Sequence, residues 1–430
     1  MSNISTSLTA GRPPWLTRRS LIACGLLAAP PLRAAAAREL TVAAFPLVDE
    51  IVKAAEPMWR AMHPDVALKV VSRQYMDHHT AMTTALSTAV RLPDVMALEV
   101  SFVGRFAQGG GLENLAQAPY DIGRYRSRWV ASAYDQATNA AGAVVAAPAD
   151  IGPGTMLYRA DLLERARVGA DALARSWEGY IEAGERIKAA TGAYLVAHVQ
   201  EIKDIVIRTG LKPGDGLYFD AGGRVSVDAP RFVRAFELAR QVRRSRLDAR
   251  VSAWSNEWAE GFRRGILATE LSGAWLVGQL HNWIAPETQG LWRASQFPEN
   301  AFAGYGGSFY AIPHYASAAN KALAWDFIRL MTLQRELQLA AFKKFDAFPS
   351  LVETHDDPFF SEPLPFLGGQ KARLLWKDAA AHMTAARVHK QNGFADEVIA
   401  TELDNVLDRG KDIASALGDA KLIIERRAQR

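Results

Sequence analysis

Tryptophan is concentrated in one stretch of the sequence, where the rings could stack on flat apolar faces of a ligand. Of the eleven tryptophans, five fall between positions 254 and 292, namely Trp254, Trp258, Trp275, Trp283 and Trp292. An indole has a broad apolar face and one N–H donor, which suits the C–H face of a polyhydroxylated ring. Each of these rings could instead belong to the core. Trp254 is a candidate ligand contact on this pattern.

Two acidic residues lie next to predicted strand ends. Glu99 follows the predicted strand 94–98, and Asp150 follows the apolar stretch 143–147 that Pro148 closes. A carboxylate in such a loop accepts paired hydrogen bonds from neighbouring hydroxyl groups. Both are therefore candidate ligand contacts, and a capping or solvated role is the alternative for each.

Further candidates follow from position alone. Phe45 comes after the first predicted strand, and Gln74 and Tyr75 come after the second. In the glycine- and aromatic-rich segment 304–313, Gly307 and Ser308 could present backbone N–H groups close to a ligand, because glycine has no Cβ. A tight turn is the alternative for that segment.

These candidates must be positioned by alternating strands and helices. Strand patterns at 39–44, 66–71 and 94–98 alternate with helical patterns at 49–62 and 79–90. A βαβαβ order predicts an α/β fold with a parallel sheet and ligands at the carboxyl ends of its strands.

The N-terminus has the layout of an export signal. Arg18-Arg19 precedes an apolar run at 21–29, and small residues end at Ala37. This predicts a twin-arginine signal peptide over residues 1–37, with cleavage near Ala37 and a periplasmic product. The alternative is lipidation at Cys24, but too few apolar residues separate Ser20 from that cysteine for an ordinary signal.

Charge and cysteine content exclude several classes of function once the leader is removed. The formal charge of +4 equals the four arginines of residues 1–37, so the remaining chain is neutral. A neutral chain lacks the broad positive field that nucleic acid or an anionic membrane requires. The only cysteine, Cys24, lies in the leader. Disulfides, thiolate metal sites and cysteine nucleophiles are thus excluded from the mature chain.

Catalytic sequence signatures are missing. The sequence has no His-Glu-x-x-His, Gly-x-Ser-x-Gly, Walker A or Gly-x-Gly-x-x-Gly motif. Asp77-His78-His79 is the one close group of an acid and histidines, and it is interpreted as a solvated helix start. No metal or cofactor is expected.

An ordered set of short motifs resembles one family. They are Leu92-Pro93-Asp94-Val95, the glycine run 109–111 with Leu112, Tyr158-Arg159-Ala160-Asp161-Leu162, Ser176-Trp177-Glu178, Gly273-Ala274-Trp275, Gly306-Gly307-Ser308, Ala324-Trp325-Asp326-Phe327 and Phe348-Pro349-Ser350. Together they resemble the extracellular solute-binding proteins of ABC importers, in the sugar-binding family that includes maltose-binding protein. Arg159, Ala160 and Ala274 depart from the usual pattern, which puts any particular ligand in doubt.

This resemblance implies two α/β lobes, each a mixed, mainly parallel sheet flanked by helices, that close on a ligand by hinge motion. Three crossings would join the lobes, near 147–150, 297–300 and 330–336. Lobe one would comprise 38–147 plus 298–332, and lobe two 148–297 plus 333–430.

The resemblance also implies a function. A periplasmic protein without enzyme activity, expected to be a monomer, would capture a sugar or related polyhydroxy solute and deliver it to ABC permease subunits at the inner membrane. Trp275 stands at the position of the family's binding tryptophan. One alternative is an exported lyase or hydrolase that acts on carbohydrate through Glu99 or Asp150. Another is the same fold binding a charged solute, such as a polyamine or glycerophosphate.

Overall fold

The computed structural model describes residues 38–107, 110–139, 141–387 and 389–428. The export signal and Cys24 lie outside the described residues. The strands are β1 (Arg38–Ala44), β2 (Val66–Ser72), β3 (Val95–Glu99), β4 (Ala147–Arg159), β5 (Thr269–Gly273), β6 (Trp292–Ser295) and β7 (Gly304–Ala311). The helices are α1 (Val48–Ala54), α2 (Glu56–Met62), α3 (Tyr75–Thr88), α4 (Val100–Ala107), α5 (Ala131–Gln136), α6 (Ala160–Ala166), α7 (Ala170–Arg175), α8 (Trp177–Thr191), α9 (Val199–Thr209), α10 (Pro230–Arg244), α11 (Asn256–Arg263), α12 (Leu276–Gln279), α13 (Ala318–Leu333), α14 (Arg335–Phe345), α15 (Ala372–His382), α16 (Asn392–Arg409) and α17 (Ile413–Ala428). A π-helical turn, Leu280–Ile284, follows α12 directly.

The strands form one mixed sheet in the order β2-β1-β3-β7-β4-β5, with β6 also paired to β4. β1 pairs in parallel with β2 and β3, whereas β7 is antiparallel to both β3 and β4. In the second half of the sheet β5 and β6 run antiparallel to β4, and parallel pairing consists of single bridges such as Val196 to Asp248. The predicted α/β class with a mixed sheet is confirmed.

Local sequence signals explain where several of these elements begin and end. The first four residues of β3 are fully buried, as expected of a central strand that helices cover on both faces. α8 begins directly after Ser176, because the Ser176 hydroxyl accepts a hydrogen bond from the Gly179 N–H at 3.0 Å and caps the helix. In the part of the chain that the structure describes, no helix combines the length and apolar character needed to cross a membrane.

The strand β4 differs from the prediction. The sequence predicts that Pro148 closes the apolar stretch 143–147, but β4, which has 13 residues, runs through this proline and past Asp150. Its first half pairs with β7, and its second half pairs with β5 and β6. Register shifts near Pro148 and Pro153 accommodate two residues that cannot donate a ladder hydrogen bond. β4 and β7 thus run side by side between the two halves of the sheet.

Buried apolar side chains form three separate clusters, and each includes residues of β4. One cluster draws on residues 40–149 and 309–333 with Leu351, and a second on residues 156–303 and 395–424. A third cluster includes Ile151, Trp258 and Phe348. Residues 348–350 also run beside β4, because the Ser350 hydroxyl donates to the Pro148 carbonyl at 2.9 Å and Ile151 N–H donates to the Phe348 carbonyl at 2.9 Å.

Candidate functional site

Three of the predicted residues lie in one row across the sheet. Glu99 on β3 is paired with Ser308 on β7, and Ser308 is paired with Asp150 on β4. Residues directly opposite each other in neighbouring strands point to the same face of a sheet. The carboxyl groups of Glu99 and Asp150 therefore flank the Ser308 side chain. The Cα atoms of the two acids are about 10 Å apart, which is twice the spacing of neighbouring strands.

Both carboxyl groups are poised to accept hydrogen bonds. Burial raises the pKa of Asp150 to about 6, although hydrogen bonds from Ser308 oppose the shift and the charge of Glu99 adds to it. Burial also raises the pKa of Glu99, while Ser101 N–H donates to its Oε2 at 2.8 Å and lowers that pKa in part. Hydroxyl groups of a ligand would relieve the desolvation of these two groups.

Aromatic residues of the first two loops lie against Glu99. The Tyr75 hydroxyl donates to Glu99 Oε2 at 3.1 Å. Phe45 packs edge-on against the Tyr75 ring with centroids 5.6 Å apart. Gln74, the N-cap of α3, is exposed and its side chain makes no capping bond. Of the residues predicted at strand ends, Phe45 and Tyr75 thus lie next to Glu99, whereas Gln74 only precedes Tyr75 in the chain.

The two histidines near this loop are buried, so interpreting the group as a solvated helix start was wrong for them. Both are fully buried, and His78 Nε2 lies 2.7 Å from the Ala97 carbonyl oxygen. His79 Nδ1 lies 2.8 Å from the Tyr75 carbonyl, and its Nε2 accepts from Glu99 N–H at 3.1 Å. Burial lowers the pKa of His79 to about 4, which keeps the ring neutral with its proton on Nδ1. His79 thereby ties the start of α3 to the end of β3 and positions Tyr75 and Glu99.

Trp275 is anchored to β7 close to this row. Its Nε1 donates to the Tyr305 carbonyl at 2.8 Å. Gly306 has a φ of +95°, and a Cβ there would lie 2.8 Å from Trp275 Nε1, so glycine is required. Gly307, at φ +132°, would place a Cβ 3.0 Å from the Asp150 carbonyl oxygen. These glycines lie within the strand β7, which passes close to Asp150 and Trp275, so the alternative of a tight turn does not apply here.

The five clustered tryptophans divide into core and surface residues. Trp258 and Trp292 are buried, with exposed fractions of 2% and 0%. Trp275 is partly buried, whereas Trp254 and Trp283 are 56% and 57% exposed. The Trp254 and Trp275 rings are nearly parallel, at an interplanar angle of 14° with centroids 5.9 Å apart. Both tryptophans predicted as ligand contacts thus lie together and leave ring surface accessible.

Sequence reasoning missed two residues that border the site. The Arg208 guanidinium lies over the Tyr305 ring at 4.8 Å and donates to the Gly304 carbonyl at 3.3 Å. Its charge also reaches Glu99, whose pKa it lowers in part. An arginine in the last turn of a helix is ordinary, and Tyr305 is one aromatic among many, so no sequence signal distinguishes them.

A buried pair of acids on α9 and β5 was missed as well. The Glu201 and Glu270 side chains are hydrogen bonded to each other, and Trp258 Nε1 donates to Glu270 Oε2 at 3.4 Å. Burial and mutual repulsion raise the pKa of Glu270 well above its ordinary value, and burial raises that of Glu201 to about 7. In the described residues, no group of three or more His, Cys, Asp or Glu side chains could hold a metal ion.

Known proteins share this architecture. A lactose-binding protein from Rhizobium radiobacter is 24% identical over 350 residues, which cover 77% of this chain and 78% of that protein. The crystal structure of an extracellular solute-binding protein of family 1 superposes with a TM-score of 0.78 at 24% identity, covering 91% of this chain and 100% of that one. A binding protein of an ABC transporter from B. animalis subsp. lactis Bl-04, in complex with β-1,6-galactobiose, superposes with a TM-score of 0.74 at 19% identity and 91% and 98% coverage.

The family assignment rests on a match over most of the chain. Residues 41–336 match the sequence model of the bacterial extracellular solute-binding proteins. That range contains every residue of the candidate site, from Phe45 to Ser308. The chain belongs to the bacterial extracellular solute-binding protein family.

Proposed function

We propose that this protein captures a sugar or related polyhydroxy solute in the periplasm and delivers it to ABC permease subunits at the inner membrane. The observation that supports this most is the row Glu99–Ser308–Asp150, with Trp275 hydrogen bonded to the Tyr305 carbonyl of β7 close to that row. Carboxylates accept from sugar hydroxyls, and an indole face covers the apolar side of a sugar ring. Relatives bind lactose and β-1,6-galactobiose, which agrees with this chemistry.

We further propose that the ligand binds between two lobes. Lobe one comprises 38–147 plus 298–332, and lobe two 148–297 plus 333–430. The two largest buried clusters support this division, because one draws mainly on residues of lobe one and the other mainly on residues of lobe two. The crossings near 147–150, 297–300 and 330–336 would allow the lobes to close on the ligand.

A binding role is favoured over catalysis. The family and the relatives are binding proteins, whereas an exported lyase or hydrolase would use Glu99 or Asp150 as an acid or base. The neutral charge of the chain after residue 37 supports a small-molecule ligand and no nucleic-acid partner. A monomer is proposed. A charged solute such as a polyamine or glycerophosphate remains the second candidate, because Glu99, Asp150 and Arg208 all border the site.

A ligand is expected to stabilise the protein and to compact it. Only the closed form would contact ligand from both lobes, and a ligand at 100 times its Kd adds about 2.7 kcal/mol to the free energy of unfolding. Thermal shift assays identify the class of ligand; the compounds tested are lactose, galactose, maltose, glucose, spermidine and glycerol 3-phosphate. X-ray scattering measures the radius of gyration with and without ligand. Incubation with lactose and maltose followed by product analysis tests for turnover.

Two outcomes would contradict this proposal. Sugar cleavage by the purified protein would favour the enzyme. A saturating sugar that raises the melting temperature but leaves the scattering radius unchanged would exclude closure.

Glu99→Gln and Asp150→Asn are expected to reduce the sugar-induced rise in melting temperature. Glu182→Gln makes the same kind of change at an exposed residue of α8 and serves as the matched control.

We propose export by the twin-arginine route, with cleavage near Ala37. Replacing both Arg18 and Arg19 with lysine is expected to leave precursor in the cytoplasm, because the pathway requires the arginine pair. Replacing Arg12 and Arg33 with lysine makes the same chemical change outside the pair and is expected to preserve export. Immunoblots of cell fractions measure the export of both variants, and the mass of the mature protein gives the cleavage site. Normal export of the Arg18/Arg19 variant, or a lipid on Cys24, would refute this route.

A further inference from the structure

Trp254 has a backbone conformation that is unusual for a large side chain. Its φ is +69°, in the left-handed region that bulky residues rarely occupy. More than half of the side chain is exposed, which also works against stability in water. Strained and exposed aromatic residues of this kind cluster at functional sites, where surrounding structure holds them in place.

The surrounding structure holds Trp254 through aromatic contacts. Its ring lies 5.0 Å from the ring of Trp258, which is buried and packs edge-on against Phe262 at 4.7 Å. Trp258 is in turn anchored by the hydrogen bond from its indole N–H to Glu270. Trp254 therefore rests on a rigid core residue, while its other neighbour is Trp275 in the candidate site.

The spacing of Trp254 and Trp275 excludes a sugar ring between them. Their planes are nearly parallel, and their separation cannot exceed the centroid distance of 5.9 Å. A ring inserted between two indoles needs roughly 7–8 Å, since each face contact takes about 3.5–4.0 Å. The two indoles therefore cannot clamp one ring, and each must offer its surface to a different part of the ligand.

We propose that Trp254 forms an outer subsite beside Trp275, and that the preferred ligand is an oligosaccharide of at least two rings. This inference rests on the proposed function. The inner ring contacts Trp275 and the row of Glu99, Ser308 and Asp150. The second ring packs on the exposed indole of Trp254, which has no role in holding a single ring.

Titration calorimetry on three proteins tests this subsite: wild type, Trp254→Ala and Trp283→Ala. Trp283 is a matched control, because it is equally exposed but makes no ring contact among the described residues. The probes are lactose, maltose and β-1,6-galactobiose, each compared with galactose and glucose. Trp254→Ala is expected to weaken disaccharide binding about tenfold or more and monosaccharide binding less than about twofold. Trp283→Ala is expected to change neither, and Trp254→Phe should retain part of the disaccharide preference.

Any of the following results would contradict the inference. Equal losses for mono- and disaccharides in Trp254→Ala would mean that Trp254 serves the inner ring. No loss for either would mean that its exposed ring has no part in binding. Wild-type protein that binds monosaccharides as tightly as disaccharides would refute the outer subsite but leave sugar binding intact. Wild-type protein that binds none of these sugars would refute the proposed function as well.

Discussion

Replacing Trp275 with alanine is expected to weaken sugar binding by about 1–3 kcal/mol, or roughly 5- to 150-fold in Kd. The indole is anchored by its hydrogen bond to the Tyr305 carbonyl and is only partly buried, so its loss would remove the ligand contact that we propose for it. Calorimetric affinity and the melting temperature of the ligand-free protein, measured on the same sample, check the prediction.

A buried tryptophan provides the comparison that separates binding from folding. Trp292→Ala empties a fully buried position and is expected to cost about 3–5 kcal/mol of stability. Trp275→Ala should lower the melting temperature far less than Trp292→Ala while lowering affinity more. Trp275→Phe keeps a ring but loses the N–H donor to Tyr305, so an intermediate affinity is expected. Unchanged affinity in Trp275→Ala with a collapsed melting temperature would make Trp275 a core residue.

The N-terminal half of the fold could be predicted because its strands are short, apolar and separated by amphipathic helices. The predicted strands 66–71 and 94–98 correspond to Val66–Ser72 and Val95–Glu99. The helix predicted at 79–90 instead begins at Tyr75. Its first turn carries histidines that are buried against β3 and Glu99, and hydrophobic periodicity does not register a buried histidine.

The centre of the fold could not be predicted from local signals. Glycine and proline at 152–154 predict a break, yet β4 passes through them, because register shifts beside Pro148 and Pro153 accommodate residues that lack an N–H donor. Glu99 and Asp150 were each identified from a strand end. Their placement on either side of Ser308 depends on the pairing of β3, β7 and β4, which are far apart in sequence. Tertiary pairing of that kind leaves no trace in spacing.

The buried acids Glu201 and Glu270 are expected to make stability fall as pH rises. In the unfolded chain both ionise near the ordinary value of 4.5, whereas the folded pair retains protons up to about pH 7 and above. The contribution of this pair to the free energy of unfolding is therefore greatest below pH 4.5 and decreases as pH rises through the raised pKa values. For Glu201 alone the loss is on the order of 3 kcal/mol by pH 8.

Glu270→Gln is expected to remove the part of this dependence that comes from Glu270, while the part that comes from Glu201 persists. Glu201 accepts from the N–H groups of His198 at 3.0 Å and Leu271 at 3.4 Å, so it is the member that ionises first, and Glu270 retains the shared proton. A glutamine amide at 270 can donate to Glu201 and accept from the Trp258 indole without titrating. The variant should match wild type at pH 5 within about 1 kcal/mol and exceed it at pH 8 by about 1–3 kcal/mol.

Urea unfolding of both proteins at pH 5, 6, 7 and 8 measures this difference. Histidines and other acids titrate equally in the two proteins, so the difference between their curves isolates the pair. Glu182→Gln makes the same chemical change at an exposed position, and its curve of unfolding free energy against pH should run parallel to that of wild type. Parallel curves for Glu270→Gln and wild type would show that Glu270 is ionised in the folded protein. Since the Trp258 indole donates to Glu270, a proton retained on Glu270 would also mean that Trp258, which packs against Trp254, contacts an uncharged carboxyl group.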